Sequence, residues 1–215
     1  MKIKWFGHSC FLLTSEKGIR VLTDPFDNQV GYVLPTVEAD IVTTSHGHYD
    51  HNYIQVVKGN FKHIDRPGVV EQYGIRITGV SAFHDEVQGA KRGKNIIYIF
   101  DMEGLRICHC GDLGHIPSQK QVAEIGRVDL LLVPVGGTYT VNAAEAMKVV
   151  ELLKPKLTIP MHFKTQALSF SLDSVDKFLS AVGISKQEAY VKSQEADVKL
   201  GGLGILPRAL VLDYK

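Results

Sequence analysis

Ile41-Val42-Thr43-Thr44-Ser45-His46-Gly47-His48-Tyr49-Asp50-His51 is the stretch on which the reading turns. It opens as a β-branched run with the composition of a buried strand, 41–44. It then breaks into a loop where His46, His48, Asp50 and His51 crowd together. The end of a strand is a place where side chains converge on solvent over a rigid base. Two histidines one residue apart can point the same way from extended backbone, so His46 and His48 can take two corners of one metal. Asp50 and His51 come after the chain has turned and can face a second metal alongside. Imidazoles with a carboxylate suit zinc, and also iron, manganese or nickel.

Outward from this run, the N-terminal part reads as strands. Residues 2–6 and 10–14 are apolar-rich, and Ser15-Glu16-Lys17-Gly18 makes a hairpin turn into 19–23. Further strands fall at 75–83, 95–100 and 105–109, the last two joined by Asp101-Met102-Glu103-Gly104. The second half alternates helix and strand. Ser118 with Gln121 forms a capping box for a helix closed by Gly126. The continuous apolar run 130–133 predicts a strand covered on both faces. Asn142, with Glu145 three on, caps a helix whose apolar face is Ala146, Val149, Val150 and Leu153 and which Pro155 stops. A strand at 157–159 feeds Met161-His162. Val175, Phe178, Leu179 and Val182 face one side of another helix, ended by Gly183. Strands near 189–192, 197–200 and 208–213 complete the chain, and Gly201-Gly202-Leu203-Gly204 is expected to be a turn. Strands early and mixed elements late suggest two packed sheets with helices outside, in a single domain over 1–215.

Composition narrows the function. The 215 residues carry a formal charge of +1, so no global field draws nucleic acid or an anionic membrane. The basic run Lys91-Arg92-Gly93-Lys94 reads as a solvated loop. No stretch reaches the ~18 apolar residues of a membrane span. The N-terminus alternates like a strand and lacks a signal peptide's apolar core, which implies a cytoplasmic protein. Three cysteines, Cys10, Cys108 and Cys110, give no disulfide framework and agree with a reducing compartment. Strand alternation explains Cys108-His109-Cys110 better than a metal knuckle does.

The run His46-x-His48-x-Asp50-His51 after a strand resembles the signature of the metallo-β-lactamase superfamily. Other matches follow in family order: Thr23-Asp24-Pro25, Phe83-His84-Asp85, Gly111-Asp112-Leu113-Gly114 (Leu where Thr is commoner) and Pro160-Met161-His162. The resemblance implies an α/β fold, a four-layer αββα sandwich, and hydrolysis of an ester, lactone, thioester, amide or phosphodiester. Trp5-Phe6-Gly7-His8-Ser9-Cys10-Phe11, Arg92-Gly93-Lys94-Asn95 and Pro134-Val135-Gly136-Gly137 resemble the ascorbate-6-phosphate lactonase-like branch. Carried over residue by residue, the resemblance puts His46, His48 and His84 on one metal and Asp50, His51 and His162 on a second, with Asp112 bridging. Two divalent cations about 3.5–4 Å apart deprotonate a shared water near neutral pH, giving a hydroxide nucleophile. Asp50 is also a candidate to manage the proton during turnover.

Weaker candidates surround this set. His109 competes with His84, and family order favours His84, leaving His109 a supporting or structural role. His8 reaches the pocket mouth or is structural. Asp24 is expected to orient a ligand histidine. Lys164 either holds a substrate phosphate or carboxylate or is solvated. His63 and His115 read as structural or surface residues. Gly136-Gly137-Thr138-Tyr139 is a turn or a place for substrate to approach the backbone. The leading function is hydrolysis of a small molecule with two divalent metal ions, zinc first. The alternatives are a metal-dependent nuclease, against which the charge argues, and a non-catalytic metal-binding protein. The resemblance also argues against a di-iron oxygen-reducing role, since that branch of the superfamily typically carries an acidic ligand where His48 stands and a flavin domain. Homo-oligomerisation is left open.

Overall fold

The computed structural model describes residues 1–203 and 208–214. Its strands are β1 (Lys2–Gly7), β2 (Cys10–Thr14), β3 (Arg20–Thr23), β4 (Val37–Glu38), β5 (Ile41–Thr43), β6 (Val57–Lys58), β7 (Lys62–Ile64) and β8 (Gly68–Gln72). They continue as β9 (Ile75–Phe83), β10 (Lys94–Met102), β11 (Leu105–His109), β12 (Leu130–Pro134), β13 (Leu157–Met161), β14 (Tyr190–Val191), β15 (Glu195–Asp197) and β16 (Val211–Leu212). The helices are α1 (Gln119–Ile125), α2 (Ala143–Leu153), α3 (Asp176–Val182) and α4 (Lys186–Ala189).

Two six-stranded sheets form the frame, in the orders β15-β1-β2-β3-β5-β7 and β13-β12-β11-β10-β9-β8. Each is antiparallel in part and parallel in part. In the first, β3, β5 and β7 run parallel; in the second, β11, β12 and β13 do. Alternation sets the faces of the first sheet. Ile3, Trp5, Phe11, Leu13, Val21 and Ile41 join the main core. Their neighbours Phe6, Cys10, Leu22 and Val42 point the other way, into a second cluster with Phe26, Tyr32 and Leu168. Fully burying such aliphatic and aromatic side chains contributes roughly 1.5–3 kcal/mol each. The second sheet is buried on both faces along β12, whose five residues are all buried. Helix α2 packs there through Ala146, Val149 and Leu153.

The layered α/β sandwich expected from the sequence is present. The layer over the first sheet is built of loops and short 3₁₀ turns, Asn28–Val30 and Ile54–Val56. Both expected capping boxes form, at Ser118/Gln121 and Asn142/Glu145. Lys154 ends α2 in a left-handed conformation just before Pro155. The C-terminal expectations need correction. The strand placed at 197–200 ends at Asp197, and Leu200–Gly202 forms a 3₁₀ turn. The strand at 208–213 contracts to Val211–Leu212, paired in parallel with β14. Gly204 of the expected glycine turn lies outside the described residues. Short polar elements escaped the sequence reading: β7, the half-exposed β8, and α4, a single turn capped by Ser185 and Glu188.

Candidate metal centre

Six strand ends meet at one rim of the sandwich. From the first sheet, β1 delivers His8, β3 delivers Asp24 and β5 leads into Ser45 and His46. From the second, β9 delivers His84, β11 leads to Asp112 and β13 delivers His162. His8, Asp24 and His162 sit at φ of 52°, 42° and 52°, the left-handed region that non-glycine residues avoid. Each lies at the point where a strand must turn its last side chain onto the rim. Backbone strain of this kind persists where the surroundings over-determine it, typically at functional sites.

The side chains fall into groups whose ligand atoms lie within 4.8 Å of one another: His46, His48 and His84; His8, Asp50, His51 and His162; and His46, His51 and Asp112. Asp112 stands in the middle. Its carboxylate is 3.0 Å from His51 Nε2 and 3.3 Å from both His84 Nε2 and His162 Nε2. Asp50 lies 3.8 Å from His51 Nε2 and 3.3 Å from His8 Nε2.

A second layer fixes the ring orientations. Asp24, fully buried, accepts from the Ser45 amide at 2.7 Å and the Ser45 hydroxyl at 2.7 Å, and pairs with His51 Nδ1 at 2.8 Å. With Nδ1–H on Asp24, His51 turns Nε2 toward Asp112, the carboxylate–histidine arrangement that raises ligand basicity. The Ser45 hydroxyl, already donating to Asp24, accepts from His46 Nδ1 at 3.0 Å. That leaves His46 Nε2 as a lone pair facing His48 Nδ1 across 3.0 Å. Asn95 braces Asp112, taking its amide at 3.0 Å and donating to the Cys110 carbonyl at 2.8 Å.

Charge follows from burial and neighbours. Burial keeps His46 neutral, down to about 3, with His51 adding to the effect. Burial, then His162, takes His8 to about 4, and burial lowers His84 as well. Burial opposes ionisation of Asp112, yet His162 and His51 outweigh it and hold the carboxylate anionic. Asp50 is likewise lowered against its burial, by His51 and His8. Burial disfavours charge on His51, but Asp112 and Asp50 prevail and raise it.

The donor set fits divalent transition metals on its own terms. His51 Nε2 and Asp112 Oδ1 are both buried and face each other at 3.0 Å, with no further hydrogen-bond partner for either. A cation shared between them would satisfy both atoms at once. Nitrogen and carboxylate ligands of this kind suit zinc and its neighbours.

The remaining candidates are placed unambiguously. His109 spends both ring nitrogens, Nε2 on the Ser9 carbonyl at 2.8 Å and Nδ1 on the Gly111 amide at 3.2 Å. It is a buried strut, and His84 is the histidine that faces Asp112. His8 is not at the pocket mouth but fully buried behind Asp50. Lys164 requires correction: its ammonium is bound by the Leu168 and Phe170 carbonyls, so it braces the 165–170 loop and not a ligand in the pocket. His63 bonds Thr44 and His115 bonds Phe83 and Ile116, both structural. The three cysteines are free and buried, and none belongs to a metal-holding group among the described residues.

Asp85, next to His84, was missed. It is 1 % exposed and accepts from the amides of Val87, Gly89, Lys91 and Arg92 at 2.7–3.0 Å. It therefore holds the whole 86–92 loop. Gly114 packs against its base so closely that a Cβ would meet the Asp85 nitrogen and the His84 carbonyl carbon at 2.3 Å. The pocket outside the centre holds about 370 Å³, with His48, Asp50, His84, Asp112 and His162 at its floor.

This fold and this rim of histidines and aspartates define a class. Residues 2–162 match the beta-lactamase superfamily domain, and the chain belongs to that superfamily. Within it, the chain belongs with the UPF0173 metal-dependent hydrolases. It is 33 % identical over 230 residues to one from Archaeoglobus fulgidus, covering 91 % of this chain and 98 % of that one. It is also 33 % identical over 191 residues to one from Thermoplasma acidophilum, covering 77 % and 84 %. A solved structure from Thermotoga maritima, a proposed zinc-dependent hydrolase of the metallo-β-lactamase superfamily, is 43 % identical. It superposes with a TM-score of 0.82 over 100 % of this chain and 99 % of that one.

Proposed function

We propose that the chain is a single-domain, cytoplasmic hydrolase that holds two divalent metal ions, zinc first among them, and cleaves an ester, lactone or phosphodiester bond in a small molecule. His46, His48 and His84 would hold one ion and Asp50, His51 and His162 the other, with Asp112 between the two groups. The observation that carries this is the central position of Asp112, within 3.0–3.3 Å of His51, His84 and His162. Such ions would supply Lewis-acid polarisation of the scissile bond and a water acidified to near neutral pH.

The chain's own residues do the rest. Asp24 and Ser45 keep the His51 and His46 rings aimed. Asp50, beside His8 and open to the pocket, is placed to take and return the water's proton. The N-terminal Trp5–Phe11 run and Arg92–Asn95 support kinship with the lactonase-like branch.

Metal content per chain, measured by plasma mass spectrometry on wild type and Asp112→Ala, tests the centre. The expected result is close to two metals in wild type and loss in the variant. At most one metal in reconstituted wild type rejects the two-metal reading. A metal-loaded protein inert toward a panel of lactones, esters and phosphodiesters is a binding protein instead.

A further inference from the structure

The basic run 91–94 reads as a solvated loop in the sequence, and the structure separates its members. Lys91 pairs with the exposed Glu86. Arg92 turns inward and lines the 370 Å³ pocket together with Tyr49, Tyr139 and Phe170. Its guanidinium donates to the Thr138 carbonyl at 3.2 Å and lies 5.6 Å from the centre of the Tyr139 ring, within cation–π range. Among the described residues no carboxylate pairs with it. Its backbone is pinned by the Arg92 amide's bond to Asp85 at 2.7 Å. Arg92 and His48 also line a neighbouring cavity of about 720 Å³, so the arginine stands where the two spaces meet.

A guanidinium that is held in place, half-buried and unpaired retains donors for a planar or tetrahedral oxyanion. Two features show preparation for a ligand. Thr138 and Tyr139 fix the head of the side chain and Asp85 fixes its root, so little ordering cost remains at binding. Tyr139 and Tyr49 stay 41 % and 50 % exposed at the rim, offering ring faces to an apolar portion of the same molecule.

We propose that Arg92 is a specificity residue that binds an anionic group of the substrate, a carboxylate or a phosphate, so that the hydrolysed molecule is an anion with an apolar or ring portion against Tyr139. This rests on the reading of the pocket as the substrate site.

The test is calorimetric titration of phenylphosphonate and of benzoate into wild type, Arg92→Gln and Arg92→Lys, using protein as purified. Metal content and thermal melts are taken on the same samples. Glutamine can still donate to Thr138, so the loop is kept. The expected result is at least a tenfold loss of affinity in Arg92→Gln and a smaller loss in Arg92→Lys, with metal content and melting unchanged. The probe showing the larger loss names the anion. Absence of anion binding by wild type, or equal affinity in Arg92→Gln, overturns the proposal. So does a loss that comes with altered melting or metal content, because Arg92 is then a prop for the loop. Lack of turnover on the substrate panel rejects the hydrolase reading and leaves this binding result standing.

Discussion

At the scale of single residues, the site divides into side chains that face the centre and side chains that hold them, and the two kinds fail differently. Asp24→Asn keeps the size but weakens the charge-assisted bond to His51. The expected outcome is a 10–100-fold loss of metal affinity with the fold intact, read by competition with a chelator. His109→Phe removes two buried hydrogen bonds and strands the Ser9 carbonyl and Gly111 amide. It should cost about 1–3 kcal/mol for each orphaned group in denaturant melts, with metal content unchanged. Loss of a metal in that variant would return His109 to the ligand set. Asp85 makes a pH-dependent prediction. Burial opposes its charge, but four backbone amides, that of Arg92 foremost, hold it down to about 2. A carboxylate depressed in the folded state stabilises above its unfolded pKa of about 3.9, and that contribution fades as pH falls toward the folded value. The stability gap between wild type and Asp85→Asn should therefore be full at pH 5 and narrow toward pH 2. His46, His48, Asp50 and His51 were legible as candidate ligands because histidines and aspartates packed into one short run are rare without a metal, whereas His84, Asp112 and His162 were reached only through the family resemblance. The roles of Asp85 and Arg92 were legible in neither way. One acts through backbone amides that have no sequence signal, and the other becomes a pocket residue only when the fold brings Tyr139 to it.

Elements succeed or fail in the sequence according to how much apolar surface they bury. The strands β5, β10, β12 and β13 are largely buried, and their β-branched and apolar residues announced them, most plainly the continuous apolar run of β12. Helices α1 and α2 were legible to the residue at their caps because the capping boxes are local chemistry. The edge strands β7 and β8 are polar and partly exposed, so they form because β5 and β9 offer them open hydrogen-bonding edges. The loop after β11 packs directly against the site. Gly114 touches the backbone at His84 and Asp85 from one side while Asp112 reaches His84 from the other. A methyl group there must push the two segments apart. Gly114→Ala should cost roughly 1–3 kcal/mol as an overpacking change. On the proposed two-ion centre, it should also reduce occupancy beside His84 more than beside Asp50, His51 and His162, and spectroscopy of a cobalt-substituted protein reads this difference. Equal loss at both, or none, would show that the loop adjusts elsewhere.

Across the whole molecule, the centre is a seam. His46, His48, Asp50 and His51 come from the first sheet, and His84, Asp112 and His162 come from the second. The rims of the two sheets meet through buried imidazoles and carboxylates, with the Asp112 carboxylate 3.0–3.3 Å from Nε2 of His51, His84 and His162. An ion that gathers ligands from both sides thus ties the sheets together, and binding energy becomes folding energy. Metal at one hundred times its dissociation constant adds about 2.7 kcal/mol, or roughly 5–10 °C in Tm for a chain of this size. Chelation should remove that increment reversibly, and Asp112→Ala should lack it, because the variant loses the carboxylate that stands between the histidines of the two sheets. Protons compete for the same imidazole nitrogens, so the increment should be largest near neutral pH and vanish in acid. Hydrogen exchange gives the sharper measurement. Amides at the ends of β5, β9, β11 and β13 should slow on metal addition, while those of β15 and β8, at the far edges of the sheets, should not. Uniform slowing would mean that the ions stabilise the fold as a whole without acting at the seam.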